Sequence, residues 1–285
     1  MRTLNRDACK PGFASTMKDT RMFYQPKTVE EALELKARLG TTARFLAGGT
    51  DLVVMMKKGR LTLEEVVDLS RLTELSETRD EGETLYIGAL CAHRTLETWP
   101  IPVLADAARR VGGPQIRNRG TVGGNVGTAS PAGDVSVALL ALDADIELLS
   151  LRGLRTMPLR AFFQGVGRTA IAPDELIAGF RFRRPAKSAF YKNGKRNSVA
   201  ISVVCAGVAL DSDGSPSIAL GSVAPTPLRL LKTEAFLRER GIDPETAQEA
   251  GRLASEEVAP ITDHRASADY RRAVAGVAVT RLLTP

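Results

Sequence analysis

The sequence predicts an α+β protein that folds as more than one domain. Its 285 residues are 44% hydrophobic and 25% charged, a composition typical of a globular protein with a sizeable core. Up to residue 184, short segments typical of helices and strands alternate, whereas after Pro185 strands come first and helices follow. This change separates an N-terminal α/β part from a smaller C-terminal α+β domain.

End signals and apolar patterns place the N-terminal elements. Thr28 and Glu31 form a capping-box pattern and Gly40 marks the end of the first helix. Strands are predicted at "ARFLAGG" (43–49), "EVVDLS" (65–70) and "TLYIGAL" (84–90), with a helix at 50–59. Residues 95–111 are predicted to form one helix. A buried helix is predicted from about Asp134, followed by strands at 146–151 and within 174–185.

The C-terminal part begins with three predicted strands. They lie in "SAFYKNG" (188–194), "AISVVCAGVAL" (200–210) and "SIALGSVAPTPLRL" (217–230), with a hairpin turn at 211–214. Helices are predicted at 233–237 and 245–257. The sequence therefore indicates about three strands with helices packed on one face.

The composition excludes several classes of protein. Although the net charge is +6, Lys and Arg are interspersed with Asp and Glu and no nucleic-acid-binding motif accompanies them, so no nucleic-acid partner is expected. No apolar run of about eighteen residues and no signal peptide is found, so we expect a cytoplasmic protein without a membrane span. Cys9, Cys91 and Cys205 are far apart and only two histidines occur, so no metal site is expected.

Two glycine-rich stretches are the strongest functional signal. Four glycines lie within the fourteen residues of "TVGGNVGTASPAGD" (121–134), directly ahead of an apolar run. In "FLAGGTDLVV" (45–54), a predicted strand leads into Gly48 and Gly49 and then into a helix start at Thr50 or Asp51. Glycine permits positive φ and close backbone approach, and free amides at a helix start attract phosphate. Ordinary turns would explain the same glycines.

Together the two stretches could hold the two phosphates of a dinucleotide from opposite sides. The pattern G-x-G-x-x-G does not follow any predicted strand, and the pattern G-x-x-x-x-G-K-S/T is absent from the sequence. A Rossmann NAD site and a P-loop NTPase are therefore not expected. The scarcity of candidate catalytic side chains favours a cofactor that carries its own reactive ring, which indicates a flavin.

Four motifs occur in a fixed order: "AGGTDL" (47–52), "GPQIRNRGTVGGN" (113–125), "TASPAGD" (128–134) and "APTPLR" (224–229). They resemble the FAD-binding medium subunit of molybdenum hydroxylases, a family that includes the xanthine dehydrogenase FAD subunit and the carbon monoxide dehydrogenase flavoprotein. The resemblance implies a vanillyl-alcohol-oxidase (PCMH)-type FAD-binding domain of two α/β subdomains, at 22–76 and 77–184. A C-terminal α+β domain with a three-stranded sheet follows at 185–285, and residues 1–21 are expected to form a flexible tail.

The resemblance also implies which residues hold FAD. Residues 44–51 correspond to a first pyrophosphate loop that acts mostly through backbone amides, and residues 121–125 correspond to a second. Thr128 and Asp134 correspond to contacts with the ribityl and adenosine portions, Ile177 to an apolar contact and Lys192 to a lysine near the isoalloxazine ring. The expected cofactor-binding residues are Arg44, Phe45, Leu46, Ala47, Gly48, Gly49, Thr50, Asp51, Thr121, Gly123, Gly124, Asn125, Thr128, Asp134, Ile177 and Lys192. No catalytic residue and no metal ligand is expected in this chain.

Three of these residues have structural alternatives. Asp134 could act as an N-cap without contacting a cofactor, and Lys192 could be a solvated residue of a basic patch. The negative charge of Asp51 is unfavourable beside a phosphate, so its backbone is expected to contribute while its side chain points away as a cap. Val111 stands where some family members carry an aromatic residue over the flavin, which weakens the case for NAD as the electron acceptor.

The implied function is that of an oxidoreductase subunit. In the assembled enzyme a large subunit holds the molybdenum cofactor, and 2Fe-2S clusters on a small subunit pass electrons through FAD to NAD, a quinone or oxygen. Two alternatives stay open. One is a free-standing FAD-dependent oxidoreductase with its own small substrate, for which the sequence offers Lys192 and Arg196; the other is a basic binding module without a cofactor.

Overall fold

The computed structural model of the chain describes residues 22–284, so the tail expected at 1–21 lies outside the described residues. The N-terminal strands are β1 (Met22–Tyr24), β2 (Ala43–Leu46), β3 (Glu65–Asp68), β4 (Thr78–Asp80), β5 (Thr84–Gly88), β6 (Asp145–Ser150), β7 (Gly153–Pro158), β8 (Phe163–Gly165), β9 (Arg168–Thr169) and β10 (Leu176–Arg183). The helices of this part are α1 (Val29–Leu39), α2 (Leu52–Lys57), α3 (His93–Leu96), α4 (Pro102–Arg109), α5 (Pro114–Arg117), α6 (Val122–Gly127), α7 (Asp134–Ala141) and α8 (Leu159–Phe162). The C-terminal part contains β11 (Lys187–Gly194), β12 (Ser202–Leu210), β13 (Pro216–Gly221), β14 (Leu228–Arg229), α9 (Leu231–Arg240), α10 (Pro244–Glu257) and α11 (Ala268–Leu283).

Two sheets organise the N-terminal part. The first is parallel, in the order β1-β3-β2, and the second is antiparallel, in the order β4-β5-β10-β6-β7. Helix α1 joins β1 to β2 and begins as predicted, because the Thr28 hydroxyl accepts the Glu31 amide at 3.2 Å. It ends at Gly40, whose φ of +55° suits glycine.

Helix α7 is the buried centre of the molecule. All eight of its residues are buried. Its apolar side chains belong to the core cluster that also contains side chains of the five-stranded sheet, and the helix packs against β12 and β13 of the C-terminal sheet. A helix that is apolar on every face can be stable only when other elements surround it. Because its first residue is Asp134, this helix carries a predicted site residue into the interior.

The C-terminal sheet has the order β11-β12-β13-β14 and is antiparallel. Its three long strands match the prediction, and β14 adds a fourth strand of two residues. Helices α9, α10 and α11 cover one face, whereas α4 and α7 of the N-terminal part cover the other. The two parts of the chain thus share a continuous apolar boundary.

Some predicted elements were wrong or missing. Residues 95–111 form two helices, α3 and α4, because Pro100 and Pro102 interrupt the helical hydrogen bonding between them. The stretch 121–134 is partly helical, since Gly123, Gly124 and Gly127 lie in α6 with negative φ. Helix α11 and strand β7 were not predicted.

Arg229 fastens the end of α7 to the C-terminal sheet. Its guanidinium donates to the Leu140 carbonyl at 3.1 Å and to the Asp143 carboxylate at 2.6 Å. The same group pairs with Glu234 at 2.6 Å, and the Glu234 side chain is 0% exposed. Arg229 is therefore the buried cation that compensates this carboxylate, which also accepts the Ile218 amide at 2.8 Å.

Replacing Arg229 by Met should destabilise the protein strongly. A buried carboxylate that loses its partner costs about 3–5 kcal/mol, which urea unfolding would measure. Arg238→Met is the matched control, because Arg238 pairs with the same Glu234 at 3.0 Å but has a side chain that is 46% exposed. We expect that control to cost less than about 1 kcal/mol, and equal losses in the two variants would contradict the assignment.

His93 is buried against Gly120, one residue before the second glycine-rich stretch. Its amide donates to the Gly120 carbonyl at 3.0 Å, and a Cβ on Gly120 would lie 3.0 Å from the ring Cδ2 atom. Within residues 22–284 the buried ring Nδ1 has no hydrogen-bond partner. Burial, reinforced by the charge of Arg117, lowers the pKa of His93 to about 4.

This buried imidazole should make stability depend on pH. The unfolded chain takes up the proton near pH 6.5 and the folded chain only near pH 4, so the free energy of unfolding should fall by about 3 kcal/mol over that interval. His93→Leu should remove this part of the dependence in urea unfolding measured at several pH values. His264→Leu, at an exposed position, is the control; an unchanged pH dependence in His93→Leu would refute the prediction.

Candidate functional site: two glycine-rich loops and a buried lysine

The two glycine-rich stretches meet in space. We define the first loop as residues 47–51 and the second loop as residues 119–125. A Cβ placed on Gly48 would lie only 1.9 Å from the Arg119 carbonyl oxygen and 3.0 Å from the Gly120 Cα atom. Residue 48 must therefore be glycine for the two backbones to touch.

The first loop presents a run of free amide groups. Within the described residues no acceptor is hydrogen-bonded to the backbone amides of residues 47–51, which all precede α2. Gly49 has a φ of +74°, the left-handed conformation that turns successive amides toward one side. Strand β2 extends up to the loop, because the Leu46 carbonyl accepts the Leu69 amide at 2.9 Å.

The side chain of Asp51 was predicted to cap α2, but it does not. It occupies the N-cap position, but its carboxylate accepts no amide across the helix start. The side chain is exposed at the surface, and partial desolvation raises its pKa. Its contribution to the loop is therefore its backbone.

The remaining residues of this segment lie before the loop on β2. Arg44 is exposed, and Phe45 is half-buried with the Lys36 ammonium 5.5 Å from its ring centroid. That ammonium also donates to the Ala43 carbonyl at 2.6 Å, which holds the strand against α1. These contacts give the first loop a fixed base.

The second loop has its own hydrogen bonds. The Thr121 hydroxyl accepts the Gly124 amide at 3.0 Å, and the Gly123 amide donates to the Ala89 carbonyl at 2.7 Å. A Cβ on Gly123 would lie 2.7 Å from the Ala89 Cβ, so this glycine is needed for close packing. The Asn125 side chain accepts from Ser136 of α7 at 3.1 and 3.0 Å, which ties the loop to that helix.

Thr128 and Ile177 flank the end of α6. The Thr128 hydroxyl donates to the Gly124 carbonyl at 2.7 Å, and its side chain lies at the surface. Ile177 is half-buried on β10, with its Cδ1 atom 3.4 Å from the position of a Cβ on Gly127. Both residues therefore lie beside α6, directly after the second loop, and their predicted contacts with FAD stay predictions.

Asp134 and Lys192 form a buried ion pair between the two parts of the chain. The Lys192 Nζ atom lies 2.6 Å from Asp134 Oδ2, and the two side chains are only 9% and 6% exposed. Burial raises the pKa of Asp134, while the charge of Lys192 acts to lower it. Asp134 is not an N-cap, because Gly133 occupies that position, and Lys192 is not a solvated lysine.

Lys192 also reaches the chain next to Val111. Its Nζ atom donates to the Arg110 carbonyl at 2.8 Å. The lysine therefore lies beside Val111, the position that the resemblance associates with an aromatic residue over the flavin. Lys192 is connected to the second loop through Asp134 and Ser136 of α7.

The donors at these two places fit the chemistry of FAD. The free amides of the first loop suit anionic phosphate oxygens, and the Lys192 ammonium suits the electron-rich edge of a flavin ring. Among residues 22–284, no group of three His, Cys, Asp or Glu side chains could hold a metal ion. No helix in this range is long and apolar enough to cross a membrane.

Sequence reasoning missed two contacts of this site. Ser202 donates from its hydroxyl to Asp134 Oδ1 at 2.5 Å, and the Arg110 carbonyl accepts from Lys192. Ser202 lies in an otherwise apolar strand segment, and a polar residue in such a segment was the one sequence feature that could have indicated a buried hydrogen bond. A backbone carbonyl carries no sequence signal at all.

Comparisons with known proteins identify the family of the chain. Residues 15–184 match the FAD binding domain in molybdopterin dehydrogenase, and residues 189–285 match the CO dehydrogenase flavoprotein C-terminal domain. The chain is 35% identical to the carbon monoxide dehydrogenase medium chain of Hydrogenophaga pseudoflava, covering 92% of this chain and 95% of that protein. It is 37% identical to the nicotinate dehydrogenase FAD-subunit of Eubacterium barkeri, covering 90% and 92% of the two chains.

A solved structure confirms the predicted fold class. The carbon monoxide dehydrogenase of Hydrogenophaga pseudoflava that lacks the Mo-pyranopterin moiety of its molybdenum cofactor contains a chain that matches with a TM-score of 0.87. That match has 34% identity and covers 93% of this chain and 96% of that one. The chain therefore belongs to the family of FAD-binding medium subunits of the carbon monoxide and xanthine dehydrogenases, and its cofactor is FAD.

Proposed function

We propose that the chain is the electron-transfer subunit of a molybdenum hydroxylase. It would receive electrons from 2Fe-2S clusters of a small partner subunit and deliver them to an external acceptor, while a large partner subunit holds the molybdenum cofactor. Bound FAD would supply the change from the one-electron transfers of the clusters to the two-electron reduction of an acceptor such as NAD. One observation carries the proposal. Helix α7 binds the buried Lys192 through Asp134 and the second loop through Ser136, and the second loop touches the first.

The proposed binding mode assigns different roles to the two loops. The amides of residues 47–51 would donate to the pyrophosphate, because they have no acceptor among residues 22–284. The Gly123 and Gly124 amides already have protein acceptors, so their role is to let the second loop pack closely. Thr128 and Ile177 would border the bound cofactor beside α6.

Lys192 has a separate role at the other end of the site. Its ammonium is held by Asp134 and by the Arg110 carbonyl, so its position is fixed before the cofactor binds. A fixed positive charge beside the flavin ring favours the reduced, more negative form of the ring. The chain itself would thus tune the direction of electron flow.

Gly49→Ala should weaken FAD binding. Alanine at a φ of +74° is strained by about 1–2 kcal/mol and would turn the loop amides away, so we expect the Kd for FAD to rise at least about tenfold. Flavin fluorescence titration measures this change. Gly48→Ala is a poorer test, because its Cβ would collide with the Arg119 carbonyl whether or not FAD binds there.

Gly59→Ala is the matched control for Gly49→Ala. Gly59 also has a positive φ, +64°, but nothing lies within 4 Å of an added Cβ and the residue follows α2. Its substitution introduces similar backbone strain away from the first loop. An unchanged Kd in Gly49→Ala, or equal losses in both variants, would remove the first loop from the cofactor site.

The place of the chain in a larger enzyme can be tested by isolation. A tagged chain expressed in its native host should copurify with two other proteins, one containing 2Fe-2S clusters and one containing the molybdenum cofactor. Anaerobic addition of that complex's substrate should bleach the flavin absorbance. A chain that purifies alone with FAD and oxidises a small substrate by itself would instead support a free-standing flavoenzyme.

A further inference from the structure

Ser202 is buried at the start of β12 and is only 1% exposed. Its hydroxyl lies 2.5 Å from Asp134 Oδ1, whereas the other carboxylate oxygen, Oδ2, lies 2.6 Å from Lys192 Nζ. The serine and the lysine therefore occupy different oxygens of one carboxylate. They also come from neighbouring strands, because Gly194 of β11 pairs with Ser202 of β12.

Counting donors shows what this division achieves. An ammonium group has three N–H bonds, and two of those on Lys192 are donated to Asp134 Oδ2 and to the Arg110 carbonyl. Among residues 22–284 no further acceptor is hydrogen-bonded to Lys192 Nζ. One N–H is therefore left for an acceptor that the described chain does not supply.

Without the serine, Asp134 Oδ1 loses its hydroxyl donor and the carboxylate keeps only the weak thiol donor of Cys205 beside the same ammonium. A buried carboxylate oxygen that loses its donor seeks another, and the third Lys192 N–H is the nearest charged one. Both carboxylate oxygens could then bind the lysine, which would draw its charge toward Asp134. The Ser202 hydroxyl opposes this because its bond to Oδ1 fixes the rotation of the carboxylate, so that Oδ2 is the oxygen that binds the lysine.

We propose that Ser202 is a positioning residue that, through Asp134, reserves one N–H of Lys192 for the flavin ring and thereby sets the reduction potential of the bound FAD. This inference rests on the proposed function, because it requires the flavin ring to lie at Lys192. Ser202 does not itself touch the cofactor. Its influence passes through one carboxylate and one ammonium.

The test is the midpoint potential of the bound flavin, measured by equilibration with redox dyes. Ser202→Ala should shift the potential to a more negative value, because the ammonium moves from the ring toward Asp134. Ser202→Thr should restore the wild-type potential, since it restores the hydroxyl. Ser202→Val, which has the shape of threonine without its hydroxyl, should also shift the potential to a more negative value. It provides a second test if Ser202→Ala folds poorly.

A nearby serine provides the control. The Ser222 hydroxyl donates to the Ser202 carbonyl at 2.9 Å and makes no hydrogen bond to Asp134. Ser222→Ala therefore removes a hydrogen bond from the same strand without freeing the carboxylate. Its unfolding temperature should fall as in Ser202→Ala, but its flavin potential should stay at the wild-type value.

Repeating Ser202→Ala in a Lys192→Gln background tests the route of the effect. If the serine acts through the ammonium, its substitution should cause no further shift once that charge is gone. An unchanged potential in Ser202→Ala, or the same shift in both backgrounds, would overturn the positioning role. A wild-type chain that binds no FAD would instead contradict the proposed function itself.

Discussion

The contact between the backbones at Gly48 and Arg119 is the constraint on which the site depends. A side chain at residue 48 would begin 1.9 Å from the Arg119 oxygen, so the two loops can meet only through glycine. Once they meet, the free amides of residues 47–51 and the hydrogen-bonded second loop belong to one surface. Most of the glycines here serve packing, and only Gly49 in the first loop needs a positive φ.

Helix α7 connects the second loop to the C-terminal domain. Ser136 joins the helix to the second loop, Asp134 joins it to Lys192 and Ser202, and Arg229 holds its other end through the Leu140 carbonyl. Charged groups are expensive to bury unless they are paired, so the contacts of Asp134 and Arg229 fix the position of α7 against the C-terminal sheet. The C-terminal domain is therefore a structural part of the candidate cofactor site.

The sequence marked some helix ends clearly and others not at all. The end signals of α1 at Thr28 and Gly40 were explicit, whereas the break between α3 and α4 was overlooked although Pro100 and Pro102 mark it. Helix α11 packs through Gly276 against Gly251, so small residues replace the apolar stripe that would have revealed it. The order of the four motifs predicted the family correctly.

Contacts between distant residues could not be predicted in the same way. Ser202 meets Asp134 across 68 positions of sequence, and which strand residue does so depends on the register of β11 with β12. Caps were also misassigned at Asp51 and Asp134, because an acidic residue at a helix start has the same pattern whether or not its carboxylate accepts an amide.

The most direct test of the proposed cofactor site is a titration of the cofactor-free chain with FAD and, separately, with FMN, which carries the same ring but neither the pyrophosphate nor the adenosine. We expect FAD to bind at least about a hundredfold more tightly, a difference of ~2.7 kcal/mol, and equal affinities would contradict pyrophosphate binding by the first loop.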